Sequence, residues 1–253
     1  MSQTLASIRQ YVDSLELPPM PKRTRAGTAS PPAFTETPQV VGVGAQLAEF
    51  TDKVPSELRP LIANTMLLAQ LAANKASSDT PNVFDWYGKY RNVLENVGWT
   101  VHGSEEEKRQ VTHKNAGLHK ELIPVIASML GPQVAALSLI VRLLQGLQEM
   151  DAQSPWITLF DRASQHARGA KFQISYVDVD SGGSPTISLL CFAIEAERTV
   201  TQVLFFKFSS EKADLHQSTA RLLVTRDRLQ TDQQLIENKV GAFIAEFVDN
   251  IEI

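Results

Sequence analysis

"KFQISYVDVD", Lys171–Asp180, and "TISLLCFAIEAE", Thr186–Glu197, decide the fold, because here the chain leaves helical period for alternation. In the first stretch Phe172, Ile174 and Tyr176 alternate with Gln173 and Ser175, which predicts a half-buried strand. "DSGGSP", Asp180–Pro185, is a turn. In the second stretch both alternating sets are apolar. Ile187, Leu189, Cys191 and Ala193 share one face, and Leu190, Phe192 and Ile194 share the other. A strand apolar on both faces lies inside a sheet covered on both sides. "VTQVLFFKF", Val200–Phe208, reads as another strand after a tight turn near Glu197–Thr199, and "HQSTARLLVT", His216–Thr225, as a fourth. "QTDQQLIENKVGAFIAEFVDNI", Gln230–Ile251, closes the chain as a helix. Thr231 and Gln234 have capping-box spacing, and Ile236, Val240, Phe243, Ile244, Phe247 and Val248 form its buried face.

Upstream the period is helical. Leu5, Ile8, Val12 and Leu15 predict a short amphipathic helix. Leu17–Pro38 holds six of the thirteen prolines and reads as an extended arm, with Lys22, Arg23 and Arg25 as a small basic cluster. A helix is expected after Ser56, burying Leu61, Met66, Leu67 and Leu71. The next, with Phe84, Tyr87, Tyr90, Val93, Leu94 and Val97 in phase, stops at Gly98. Trp99–His102 and Arg109–His113 are expected to pair as a hairpin around the charged Glu105–Lys108. Leu122–Leu147 carries only Arg142 as a charge. Its "LGPQ" breaks it into two short helices, since Gly131 ends a helix well and Pro132 begins one. Ser154 and Pro155 open a further amphipathic helix.

The expectation is an α+β fold. A mostly helical N-terminal two-thirds packs on a C-terminal antiparallel meander of three to four strands, closed by a helix. Residues 1–38 form the N-terminal helix and proline-rich arm, and residues 39–253 a single globular domain.

Hydrophobic content of 43% and charged content of 21% are those of a globular chain. A net charge of −4 gives no basic footprint for nucleic acid. A single cysteine makes no internal disulfide. Arg9, Asp13 and Glu16 interrupt the start, so no secretory signal is expected, and synthesis is assigned to a cytosol. No GxxxxGK[ST], GxGxxG or HExxH motif occurs, and no nucleotide is expected. The histidines, His102, His113, His119, His166 and His216, show no ligand spacing, so no metal is expected. "DVDSGG" lacks the later glutamate of a calcium loop. Glu195 and Glu197 read as solvated strand-end charges. Cys191 reads from spacing as a small buried hydrophobe, made inert by burial.

"FDWYGKYRNVLENVGWTV", Phe84–Val101, is an aromatic helix running into Gly-Trp and a strand. With the long apolar helices and a cysteine in an apolar C-terminal strand, it resembles the Erwinia virulence factor (Evf) family of bacterial proteins. The resemblance implies a non-enzymatic virulence factor with palmitate attached as a thioester to its cysteine, here Cys191. The acyl chain would lie in an apolar channel. Leu122, Val125, Ile126, Met129, Leu137, Ile140, Val141 and Leu144 are the expected lining, with Leu189 and Ala193 beside the cysteine. The implied partners are a fatty acid or membrane lipid and a host membrane, following synthesis in the bacterial cytoplasm and then membrane association or export. The proline-rich arm has no place in the family pattern. The alternative is a membrane-inserting or pore-forming toxin with Leu122–Leu147 as the active hairpin.

Overall fold

Gly44 has φ of 56° and sits in a two-residue turn between Val43 and Gln46, which pair. Such a turn needs positive φ, which glycine supplies without a Cβ penalty. It joins β1 (Gln39–Val43) to β2 (Gln46–Phe50), two strands the apolar run did not reveal. The computed structural model describes residues 5–20, 33–77, 83–110, 117–166, 169–195, 200, 202–206 and 214–251. Along these, α1 (Leu5–Ser14) precedes β1 and β2, and α2 (Arg59–Ala76), α3 (Val83–Asn96) and β3 (Thr100–Gln110) follow. Next come α4 (Leu118–Leu130), α5 (Pro132–Leu137), α6 (Leu139–Gly146) and α7 (Pro155–Ser164). The last part holds β4 (Gln165–His166), β5 (Gly169–Val179), β6 (Pro185–Glu195), β7 (Asp214–Leu223), α8 (Arg226–Phe247) and β8 (Val248–Ile251).

The α+β class holds, but the sheet is larger than a C-terminal meander. Its order is β3-β7-β6-β5-β2-β1-β8, with β4 beside β5. The N-terminal hairpin joins through β2, which runs parallel to β5. Strand β6 is central and apolar on both faces, as expected. Ile187, Leu189, Cys191 and Ala193 enter one core, with residues of α1, α2, α3 and α8. Leu190, Phe192 and Ile194 enter a second core, with α4, α6 and α7.

Four local expectations are corrected. Residues 100–110 form one strand rather than a hairpin turning at Glu105–Lys108, and residues 111–113 lie outside the described residues. Gly103, with φ of 61°, absorbs an irregularity between His102 and Ser104, and pairing with β7 resumes beyond it. Residues 202–206 are not a strand. Val203 and Leu204 are buried in the second core through a turn, and residues 207 and 208 and the expected turn at 197–199 lie outside the described residues. The closing helix begins earlier than its capping-box spacing indicated. Thr225 is its N-cap, accepting from the Arg228 N–H, while Thr231 lies inside and donates to the Asp227 carbonyl at 2.7 Å. The apolar run makes three helices. The break at Gly131 (φ 82°) is as expected, and a second falls at Ser138. There the buried Glu49 of β2 accepts from the Leu139 N–H at 2.9 Å and the Ile140 N–H at 3.0 Å, and from the Ser138 hydroxyl. A carboxylate at a helix N-terminus satisfies donors that have no partner within the helix.

Helix α1 is docked rather than free. Ile8 and Val12 are buried in the first core, and the Lys239 ammonium donates to the Asp13 carbonyl at 3.2 Å. The end of the arm is held by buried Arg59. Its guanidinium donates to the carbonyls of Val54 at 2.9 Å, Thr37 at 2.7 Å and Thr51 at 2.8 Å.

Candidate functional site

Strand register builds the site around Cys191. Gln173 of β5 lies opposite it on one side and Ser218 of β7 on the other. Gln46 pairs with Gln173, and Glu106 with Ser218. Directly opposed residues share a face, so a polar row crosses the floor of the first core at Cys191. Small residues flank it: Ala193 on β6, and Ser175 and Ala220 opposite Leu189. Helix α3 roofs this floor with aromatics. Trp86 stacks on Tyr90 with ring centroids 5.5 Å apart, and Tyr87 meets Trp86 edge-on at 5.4 Å.

Part of the polar row is satisfied. Gln46 donates to the Ser175 hydroxyl at 2.9 Å and accepts from the Tyr90 hydroxyl at 3.1 Å and from Gln70 at 3.2 Å. Gln70 also donates to the Val43 carbonyl at 2.8 Å and accepts from the Ala45 N–H at 3.0 Å, which pins the β1–β2 turn to α2. Gln173 is different. It is 0% exposed, and neither atom of its amide has a partner. The buried Tyr87 hydroxyl has none either. Buried polar groups are nearly always paired, so two orphans beside one thiol call for an explanation.

Burial pushes the Cys191 thiol up to about 12, with Arg91 opposing and Glu106 reinforcing. Burial also raises the phenols of Tyr87 and Tyr90, and the nearby thiol adds to both. Lys171, on the same face one row away, is pushed down to about 8 by burial and then by Lys89, and its ammonium lies 4.8 Å from the Trp86 ring centre. A thiol so far above neutrality holds little thiolate, the nucleophilic form.

The sheet separates the residues expected to act together. Leu189, Cys191 and Ala193 lie in the first core, while Leu122, Ile126, Ile140, Val141 and Leu144 lie in the second. The expected lining therefore does not surround the thiol. Val125 and Met129 border a groove of about 560 Å³ between α4 and the polar ends of β3 and β7, with Glu105, Glu107 and Arg221. Leu137 is 74% exposed on α5. Among the described residues no helix is long and apolar enough to cross a membrane. Helix α4, the longest of the three, has 13 residues where a span needs about 20.

Residues passed over in the sequence gather here. Gln173 and Ser218 reach Cys191 through strand pairing, and Tyr87 reaches it from α3 above the sheet. Glu195, Asp214 and His216 meet at the adjoining ends of β6 and β7, with ligand atoms all within 4.8 Å of one another. From sequence alone Glu195 reads as a solvated charge and His216 lacks ligand spacing. Neighbouring strands, not sequence separation, unite them.

No protein-family model matches the chain, and no curated protein matches it in sequence. Among solved structures the chain is similar to that of the Evf virulence factor, at 12% identity and a TM-score of 0.38, with 97% of this chain and 91% of that one covered. It is also similar to a delta-endotoxin, at 12% identity and a TM-score of 0.37, covering 83% and 92%. A third is activated Cyt2Ba monomer from Bacillus thuringiensis subsp. israelensis, at 13% identity and a TM-score of 0.34, covering 71% and 96%. At such scores and identities these likenesses carry no function over to this chain.

Proposed function

We propose that the chain is a non-enzymatic bacterial virulence protein that carries a fatty acyl group as a thioester on Cys191. The observation that carries this reading is the orphaned pair beside the thiol. A thioester places a carbonyl next to the sulfur, where it accepts from the Gln173 amide or the Tyr87 hydroxyl, neither of which has a partner otherwise. Unpaired, each such group costs about 1–3 kcal/mol. The acyl chain lies on the floor of small residues under α3, among Leu189 and Ala193. It does not lie on the α4–α6 side.

Since Cys191 is 2% exposed, acylation requires α3 to lift, and Trp86, Tyr87 and Tyr90 give up room to the chain. About fourteen methylenes at ~0.8 kcal/mol each supply on the order of 10 kcal/mol of transfer energy toward that rearrangement. The transfer balances without an oxidant. Cys191 Sγ forms the new C–S bond, a thioester donor loses its thiol, and the cysteine proton leaves with that thiol. One acyl chain released to a bilayer anchors only marginally, so exposed Leu137 and Val134 of α5 act as a second contact.

The test is metabolic labelling with an alkynyl palmitate analogue in cells producing the wild type, Cys191→Ser or Gln173→Met. Label on the wild type, absent from Cys191→Ser and reduced in Gln173→Met, is expected. Equal label on wild type and Cys191→Ser refutes the assignment.

A further inference from the structure

The end of the sheet beside the Cys191 row carries a second constellation, independent of acylation. Glu195 ends β6, Asp214 begins β7, and the two pair directly. His216 lies two residues along β7 on the same face. It is 5% exposed, and neither ring nitrogen has a hydrogen-bond partner. Its Nε2 lies 3.4 Å from Glu195 Oε2. The Phe84 ring meets the imidazole edge-on at 5.2 Å and limits its rotation. Two carboxylates thus converge on a buried imidazole with a free lone pair.

We infer that Glu195, Asp214 and His216 form a binding site for one divalent transition-metal ion of the zinc class. Imidazole with carboxylates suits this class, and zinc takes such donors at about 2.0–2.2 Å. Donors on a tetrahedral ion are then about 3.4 Å apart. The His216–Glu195 spacing already matches, and the 4.8 Å limit on the set leaves a closure of roughly 1.4 Å, a side-chain adjustment. Two carboxylates, a neutral imidazole and a dication sum to zero charge, which suits a half-buried position. Lys171, one strand away across Ala193, has its ammonium over the Trp86 ring, and Lys108 of β3 lies opposite His216 in strand register. The three donors leave the fourth position for water or another ligand. The ion ties the end of β6 to the start of β7, clamping both ends of the connection between them.

The experiment is calorimetric titration of zinc chloride into chelator-treated full-length protein, wild type, Glu195→Gln and His216→Ala. Expected are one ion per chain for the wild type and affinity at least about tenfold weaker in each variant. Cobalt in place of zinc should give visible d–d absorption that both variants lose. Glu195 is exposed, so its variant keeps the fold, which circular dichroism checks. Absence of saturable binding to the wild type overturns the inference, leaving a His216–Glu195 ion pair. So does wild-type affinity in a folded Glu195→Gln.

Discussion

Replacing Gln173 with methionine tests the reading of the orphaned amide. In the protein without an acyl group, Gln173 is 0% exposed and its amide has no partner. Burying an unpaired amide costs about 1–3 kcal/mol in mutational data. Methionine is unbranched, close in length and adaptable in packing. Gln173→Met should therefore stabilise the non-acylated protein by about 2 kcal/mol, an increase of about 4–8 °C in Tm for a chain of this size. Urea unfolding followed by tryptophan fluorescence measures it, with the slope checked to be unchanged. In acylated protein the amide donates to the thioester carbonyl, a bond worth about 0.5–1.5 kcal/mol net, so the gain should shrink or reverse. A loss of about 1 kcal/mol or more in the non-acylated protein would mean that the amide is paired in the native state and is no orphan.

Glu49→Ala removes the acceptor of the Leu139 and Ile140 N–H groups and should cost about 3 kcal/mol by urea unfolding, with Glu49→Gln costing less. Asp161 is raised from 3.8 to about 6, chiefly by burial, against the Val203 N–H it accepts. The folded state therefore favours the protonated acid, so its contribution is full below pH 3.8 and is lost as pH rises through about 6. Asp161→Asn, which keeps the acceptor oxygen, should flatten this part of the Tm–pH profile between pH 4 and 7 and be more stable than wild type at pH 8. Leu137→Ser, at an exposed position, should change stability by less than about 0.5 kcal/mol yet reduce liposome co-sedimentation of the acylated protein.

Local pattern revealed what depends on local pattern. The two faces of β6, the stop at Gly98 and the break at Gly131 follow from period and backbone chemistry, and the structure has all three. The N-terminal hairpin was hidden because β1 and β2 lie inside the sheet and show no alternation with polar residues. Their burial is nearly complete, with Gln46 and Glu49 satisfied by the distant Ser175, Gln70, Tyr90 and the start of α6. The parallel pairing of β2 with β5 leaves no signature in either segment. The same limit applies to the site. Cys191 could be placed on a face, but which helices cover that face depends on chain path. The apolar helices α4–α6 proved to lie behind it. Gln173 looked like the solvent side of a half-buried strand, and became an orphan because α3 covers that side too.

The acyl assignment requires a carbonyl beside the Cys191 sulfur. Intact mass of protein purified from a bacterial host, before and after neutral hydroxylamine, tests this most directly. The expected result is an added mass equal to a long-chain acyl group that hydroxylamine removes and that Cys191→Ser never acquires. A mass equal to the bare chain in every fraction, soluble and membrane alike, would contradict it.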